Sequence, residues 1–580
     1  MEAWDDTDGG PSVWHFSLGG RIIYAMEILP LGGGLMSDEM KQQFERNVRE
    51  MVDWMLEEHP TWATSQGVHT NDHRLGDASM ERMDANNRRV GEYGRKFEAA
   101  LAGPDLDTRI DAELMVAYCR AHRRGYERMH RHLSAPQSYI GRALGGCHQL
   151  IVRDFAPLDE RLRSLIGRLS ETPGILEQGK KNLTQPAKVW TELSISTTRG
   201  GISFFEEDIP KIAQLVPDLA PKVMEASAKA AEAAKDYLRF LENDLLPKAA
   251  GDVAAGEDMF NEMLRETHMM DVTADDLERT GRQLIEDTEK QFDELAESAG
   301  YSGTRNEIVF EISKKHPPAE EIVNSYAKAM ADSRQFIIDH DLLTLPEGER
   351  MEMHPHPKYV WHLLPFCSYG PPGPFDKEQV GIFGVTPVDP DLPPDKREMR
   401  LRSHPYAKIP IHAVHEGYPG HHVQFVWANL HGTLARKFGC VSTLHEEGWA
   451  FYTEQLMEEH GFLGDIDTKI FRLKEQLWRA CRIVIDVGIQ TRGMSLEDAA
   501  QLLVDRAGFE WPDAMSECTR YTLAPTQPMS YLIGKLELLK TYEEYKRRKG
   551  SAFDLKTFHN ELLACGALTP KLIRKKLFGD

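Results

Sequence analysis

Residues 411–425 read IHAVHEGYPGHHVQF. Within them stand a His-Glu pair (His415, Glu416), a Pro-Gly break (Pro419, Gly420) and a His-His pair (His421, His422), flanked on both sides by apolar positions. Zinc hydrolysis needs neutral imidazoles to hold the metal and a carboxylate beside them to take a proton from water. This stretch offers both, and the reading of the whole chain turns on how its helix is drawn.

The spacing departs from HExxH, in which two histidines lie one helical turn apart. His421 follows His415 by six residues, which in an ideal helix turns the two rings roughly 120° apart, and His422 faces correctly but lies roughly 10 Å along the axis. Neither could share one zinc with His415, since zinc–nitrogen bonds are only about 2.0–2.1 Å. The helix must therefore be irregular. Pro419 lacks a backbone donor and Gly420 tolerates unusual dihedrals, so a bulge there could absorb two extra residues and make HEGYPGH an HExxH with an insertion. Whether His421 or His422 is the second ligand stays open on spacing alone. An ordinary kinked core helix with satisfied histidines is the competing account.

The whole chain sets the frame. Its 580 residues, 41% hydrophobic and 28% charged, are ordinary for a globular protein with a large core. A formal charge of −22 repels phosphate backbones and anionic lipid, and no basic patch offsets it, so neither nucleic acid nor membrane is expected as a partner. Seven scattered cysteines without a C-x-x-C pair argue against a disulfide framework and suit a reducing compartment. The opening MEAWDDTDGG is acidic where a signal peptide is basic, and the run from Leu18 to Met36 is interrupted by Arg21 and Glu27; a cytoplasmic protein is expected.

In order, residues 1–35 read as an extension, 36–345 as a helical scaffold lobe, and 346–580 as the lobe carrying the metal motif, the last two forming one body. Ser37 can cap a first helix that stops before Pro60, and 59–79 reads as a loop with further histidines. Helical periodicity then predicts helices over roughly 80–102, 107–132, 157–182, 208–248, 274–298 and 318–341. No phosphate-binding loop or dinucleotide fingerprint precedes any of them. Between 353 and 411 the composition shifts to Pro, Gly and β-branched residues, with strand-like runs at 359–364 and 380–386. Gly384 lies in the second run, whose edge could receive a peptide main chain as an added strand; packing alone explains it equally well. Tyr369-Gly370 sits in the rigid loop SYGPPGPFD and, with His422, is a candidate substrate contact.

A helix over 441–460 carries Glu447, 26 residues after His421, a separation suited to a third, carboxylate ligand; Glu446 is its rival. The helix over 477–499 sets Arg482 and Asp486 four residues apart, either as an intrahelical ion pair or as an arginine held for a substrate carboxylate. Tyr531 begins a later helical segment, and its hydroxyl could stabilise an oxyanion beside zinc.

The motifs HEGYPGHHVQ (415–424), EGWAFYTE (447–454), WRACRIVIDVGIQT (478–491) and RYTLAPTQPMSYLIG (520–534), with HPTWATSQGVHTNDHRLGDAS (59–79), resemble the domain-of-unknown-function family numbered 885, placed with gluzincin-type zinc peptidases. The likeness spans about residues 40–575. It implies a mainly α, large helical zincin-like metallopeptidase fold with a deep cleft and a small β-sheet near the site. It further implies zinc on His415, His421 and Glu447, Glu416 as general base, and hydrolysis of small peptides or amides. Gln490, where the family usually has His, and Pro525-Thr526-Gln527-Pro528, where it has a PGQA-like segment, are departures that bear on specificity. A metal-dependent lyase acting on an amino-acid-like substrate, and a non-catalytic binding protein, are the other classes that the same residues allow.

Overall fold

Capped, amphipathic helices dominate the computed structural model, which describes residues 33–361, 364, 366–440 and 442–579; the expected 1–35 extension lies almost wholly outside them. The first helix, Gly33–Glu58, begins before Ser37, so Ser37 is not its cap. Met80–Glu98 starts where the Ser79 hydroxyl accepts from the Arg82 N–H, and Ala274–Ser298 starts with a reciprocal capping box between Thr273 and Asp276. Leu106–Glu127, Leu158–Asn182 and Ile322–Asp339 fall close to their expected ranges.

Three expectations fail for identifiable reasons. The 208–248 stretch is not one helix: Ile209–Ala213 and Ala220–Phe240 are separated by a turn containing Pro217, and Pro221 opens the second. The 359–364 run does not open as a strand, since Lys358–Val360 forms a 3₁₀ turn after Pro357. The 477–499 helix is the end of a longer one, Ile466–Thr491, which stops before Gly493 at φ 67°; Ser495 then caps Leu496–Ala507.

The small sheet has strands β1 (Arg350–Pro355), β2 (Cys367–Gly370) and β3 (Val380–Val385) in the order β1-β3-β2, with β3 parallel to β1 and antiparallel to β2. Gly384 is therefore in the central strand, hydrogen-bonded on both sides, and offers no edge to a peptide. A side chain there would meet the ring of His356, so Gly384 is a packing position and not a substrate contact.

One hydrophobic cluster runs from Ile110 and Phe292 through Ile411 and Val414 to Ile573, crossing position 345. Helices Leu444–Glu459 and Ser530–Lys549 approach closely through two glycines: a Cβ on Gly448 would lie 2.4 Å from the Gly534 carbonyl carbon, and one on Gly534 would lie 2.0 Å from the Leu444 oxygen. That contact brings the first turns of both helices, with Glu447 and Tyr531, to the same place.

Candidate metal centre

The histidine stretch forms two helices. Ile409–Glu416 ends at Glu416, the Tyr418–Pro419 peptide bond is cis, and His421–His431 begins directly after Gly420. The expected bulge within one helix is thus a full break. Its tightness requires glycine: a Cβ on Gly420 would stand 1.8 Å from the His415 carbonyl oxygen. The buried Trp449 indole donates to the Pro419 oxygen at 2.9 Å, tying the break to the helix that carries Glu447.

Through this break the rings of His415 and His421 meet at right angles with centres 4.9 Å apart. Glu447 Oε2 lies 3.7 Å from His415 Nε2 and 3.4 Å from His421 Nε2, and it accepts no hydrogen bond among the described residues. The three donor atoms lie within 4.8 Å of one another. A tetrahedral ion with bonds of about 2.0–2.1 Å separates its ligand atoms by about 3.4 Å, so the spacing suits a shared ion better than direct hydrogen bonds of about 2.9 Å. Glu446 stands apart, accepting from the Cys440 thiol at 3.0 Å.

Behind this group, His415 Nδ1 lies 2.8 Å from Glu454 Oε1. A carboxylate can only accept, so the Nδ1–H is donated to it, which leaves Nε2, the nitrogen on the Glu447 side, as the one that could bind an ion. Glu454 was not singled out from sequence, although it ends the EGWAFYTE motif seven residues after Glu447, on the same helix face. Burial opposes charge on His415, but the neighbouring Glu447 and Glu454 carboxylates outweigh it and push its pKa up to about 9. Burial likewise opposes the Glu447 anion, yet the two histidines hold it well below the usual carboxylate range. The carboxylates around the two imidazoles favour positive charge at this place. Glu454→Gln should lower zinc affinity by about 10–100-fold with the helix intact; unchanged affinity in a chelator competition would remove Glu454 from this role.

Glu416 faces a cavity of about 320 Å³ with His415, His421, Glu447, Tyr369, Trp478, Arg482 and Tyr531 on its walls. Burial raises the Glu416 pKa above that of an ordinary glutamate. The Tyr531 ring stacks on His415 at 6.0 Å, and Gln527 donates to both Glu447 Oε1 (3.1 Å) and the Tyr531 hydroxyl (3.4 Å). The departing segment 525–528 therefore touches the site. Gln490 does not: its side chain accepts from Ala255 N–H and donates to the Tyr521 oxygen. A larger cavity, about 860 Å³, lies away from the triad, where Arg436 pairs with both Asp107 and Asp111.

Three further candidates find their places. His422 is fully buried, with Nε2 donating to Glu349 at 2.8 Å and Nδ1 3.0 Å from the Tyr369 hydroxyl, so it neither joins the triad nor lines the cavity. Tyr369, and not Gly370, reaches the cavity wall. Arg482 does not pair with Asp486: its Nε donates to the Tyr521 hydroxyl (2.7 Å) and its Nη2 to Glu517 (3.0 Å).

Among solved structures, the chain resembles two proteins described as putative lipoproteins. One, of unknown function, is from Shewanella oneidensis (25% identity, TM-score 0.74, 92% of this chain and 99% of that one). The other is from Colwellia psychrerythraea (18% identity, TM-score 0.79, 93% and 98%). No helix among the described residues is long and apolar enough to cross a membrane. No curated protein matches the sequence. Residues 60–577 match the family described as bacterial protein of unknown function, DUF885, and the chain belongs to that family.

Proposed function

We propose that the chain is a zinc-dependent hydrolase of the gluzincin type, cleaving peptide or amide bonds of small substrates in a cleft of zincin-like form. The observation that carries this reading is the convergence of His415, His421 and an otherwise unpaired Glu447 oxygen at ligand spacing, with Glu454 behind His415. These three residues would hold the ion. Zinc there would polarise the scissile carbonyl and acidify water.

The chain's own groups do the rest. Glu416 takes a proton at its carboxylate from the attacking water and returns it to the leaving amine, a role favoured by its raised pKa. The Tyr531 hydroxyl donates to the negative charge developing on the carbonyl oxygen. Phe366, Phe425 and Trp478 line the cavity and thin the water around the reacting bond. The scattered free cysteines fit a reducing compartment, and we place the protein in the cytoplasm on that basis.

The purified chain is expected to carry about one zinc, to lose turnover of a mixed peptide library on chelation, and to regain it when zinc is restored. Elemental analysis that finds no transition metal, with no uptake of added zinc, would sink the reading. Product analysis by mass separates hydrolysis, which adds water across the bond, from elimination.

A further inference from the structure

Beyond the triad, the cavity wall is built around arginines. Arg482 is 2% exposed and lies against two aromatic rings, its guanidinium carbon 4.0 Å from the centre of Trp478 and 4.4 Å from that of Tyr531. Nε and Nη2 are committed to Tyr521 and Glu517, whereas Nη1 is buried without a hydrogen-bond partner among the described residues.

Around Glu517 the charges do not balance. Arg520, also on the wall, donates to the same Glu517 oxygen at 2.8 Å, so two guanidiniums share one carboxylate. Arg479 is held by Glu475, which also pairs with Lys474, so Glu475 offers Arg482 no anion. Asp486, one turn from Arg482, receives the Thr526 N–H instead and makes no pair with the guanidinium, and burial pushes its pKa well above the usual carboxylate value. A buried guanidinium with an unmet donor and a surplus positive charge calls for an anionic partner.

The position of this surplus identifies the partner. Tyr531 touches both Arg482 and His415, so one aromatic ring separates the arginine from the triad. An extended residue spans about 3.5 Å, which lets one or two residues bridge that gap. The cavity of about 320 Å³ is at the small end of ligand sites.

We propose that Arg482, supported by Arg520, binds the free terminal carboxylate of the substrate one or two residues beyond the bond that is cut. The substrates are then short carboxylate-ended amides: peptides trimmed at their C-terminus, or N-acyl amino acids. This rests on the hydrolase reading. A glutamate or aspartate side chain is the other source of the same chemistry, and the test separates the two.

Binding is measured by calorimetry on the full-length, zinc-loaded chain carrying Glu416→Gln, so that the probes are not consumed, and repeated on the metal-free chain. The probes are acetyl-Ala-Ala with a free carboxylate, its carboxamide, and acetyl-Ala-Glu carboxamide. The free acid should bind about 10–100-fold more tightly than its carboxamide, the range for hydrogen bonds to a charged group. Arg482→Met should reduce that preference to near unity.

Equal affinity for acid and carboxamide overturns the proposal. So does a preference that survives in Arg482→Met, which would assign the carboxylate to the metal. Tighter binding of the glutamate carboxamide than of the free acid overturns the terminal assignment. Should Arg482→Met fail to fold, Arg482→Lys carries the test: the charge stays but the planar fork is lost, so the preference should fall about tenfold, and an unchanged preference overturns the proposal. Failure of the hydrolase reading shows separately, as a carboxylate preference in binding with no cleavage of any probe by the unmutated chain.

Discussion

Glu416→Gln is expected to keep its zinc, its fold and its melting temperature while turnover falls by about 10²–10⁴-fold, the usual contribution of a general base. The separation of binding from chemistry follows from position. Glu416 is the last residue of its helix and faces the cavity, whereas the convergent donor atoms belong to His415, His421 and Glu447. Glutamine preserves volume and polarity at the helix end, so the break at Gly417 to Gly420 has no reason to move. It lacks the basic oxygen. Metal content, melting temperature and turnover measured on one preparation decide the matter. Near-normal turnover removes Glu416 from the mechanism, and loss of zinc makes it a ligand.

What the sequence made legible here, and what it did not, follows from the range of each interaction. His415, Glu416 and His421 declare themselves by residue type within a few positions, and Glu447 by lying at the start of the next long helix. The helices over 158–182 and 274–298 are local objects, with apolar periodicity inside and turn or cap residues outside. The break in the histidine stretch is different. Spacing required some irregularity, but a bulge and a full break differ only in where Gly420 packs, and that is set against the His415 carbonyl and Trp449 in three dimensions.

Partners distant in sequence were the least visible. His422 looks like a ligand until Glu349, 73 residues earlier, is seen to hold it together with Tyr418 and Arg334. Gly384 looked like a strand edge because strand order is a tertiary property, and β3 proves central. Arg482 and Asp486 have the spacing of an ion pair, yet Glu517 and Tyr521 on the helix Trp511–Tyr521 take the arginine instead.

Glu447→Ala should abolish stable zinc binding, with a loss well beyond the about 10–100-fold expected for a supporting residue such as Glu454, whereas Glu446→Ala should keep it. The two glutamates are adjacent, of one residue type and both on the cavity wall, so composition cannot distinguish them. Orientation does. Glu447 points its free oxygen between the two imidazoles, and Gln527 steadies its other oxygen, while Glu446 turns to the Cys440 thiol. Removing Glu447 leaves two neutral donors and no ligating carboxylate for a divalent ion; removing Glu446 leaves the triad complete. A ligand that binds only the folded chain raises its stability by mass action. The melting temperature should therefore rise with added zinc in the unmutated chain and in Glu446→Ala, and stay flat in Glu447→Ala. The reverse pattern would mean that Glu446 is the ligand and that the first turn of the Leu444–Glu459 helix rotates when the ion binds.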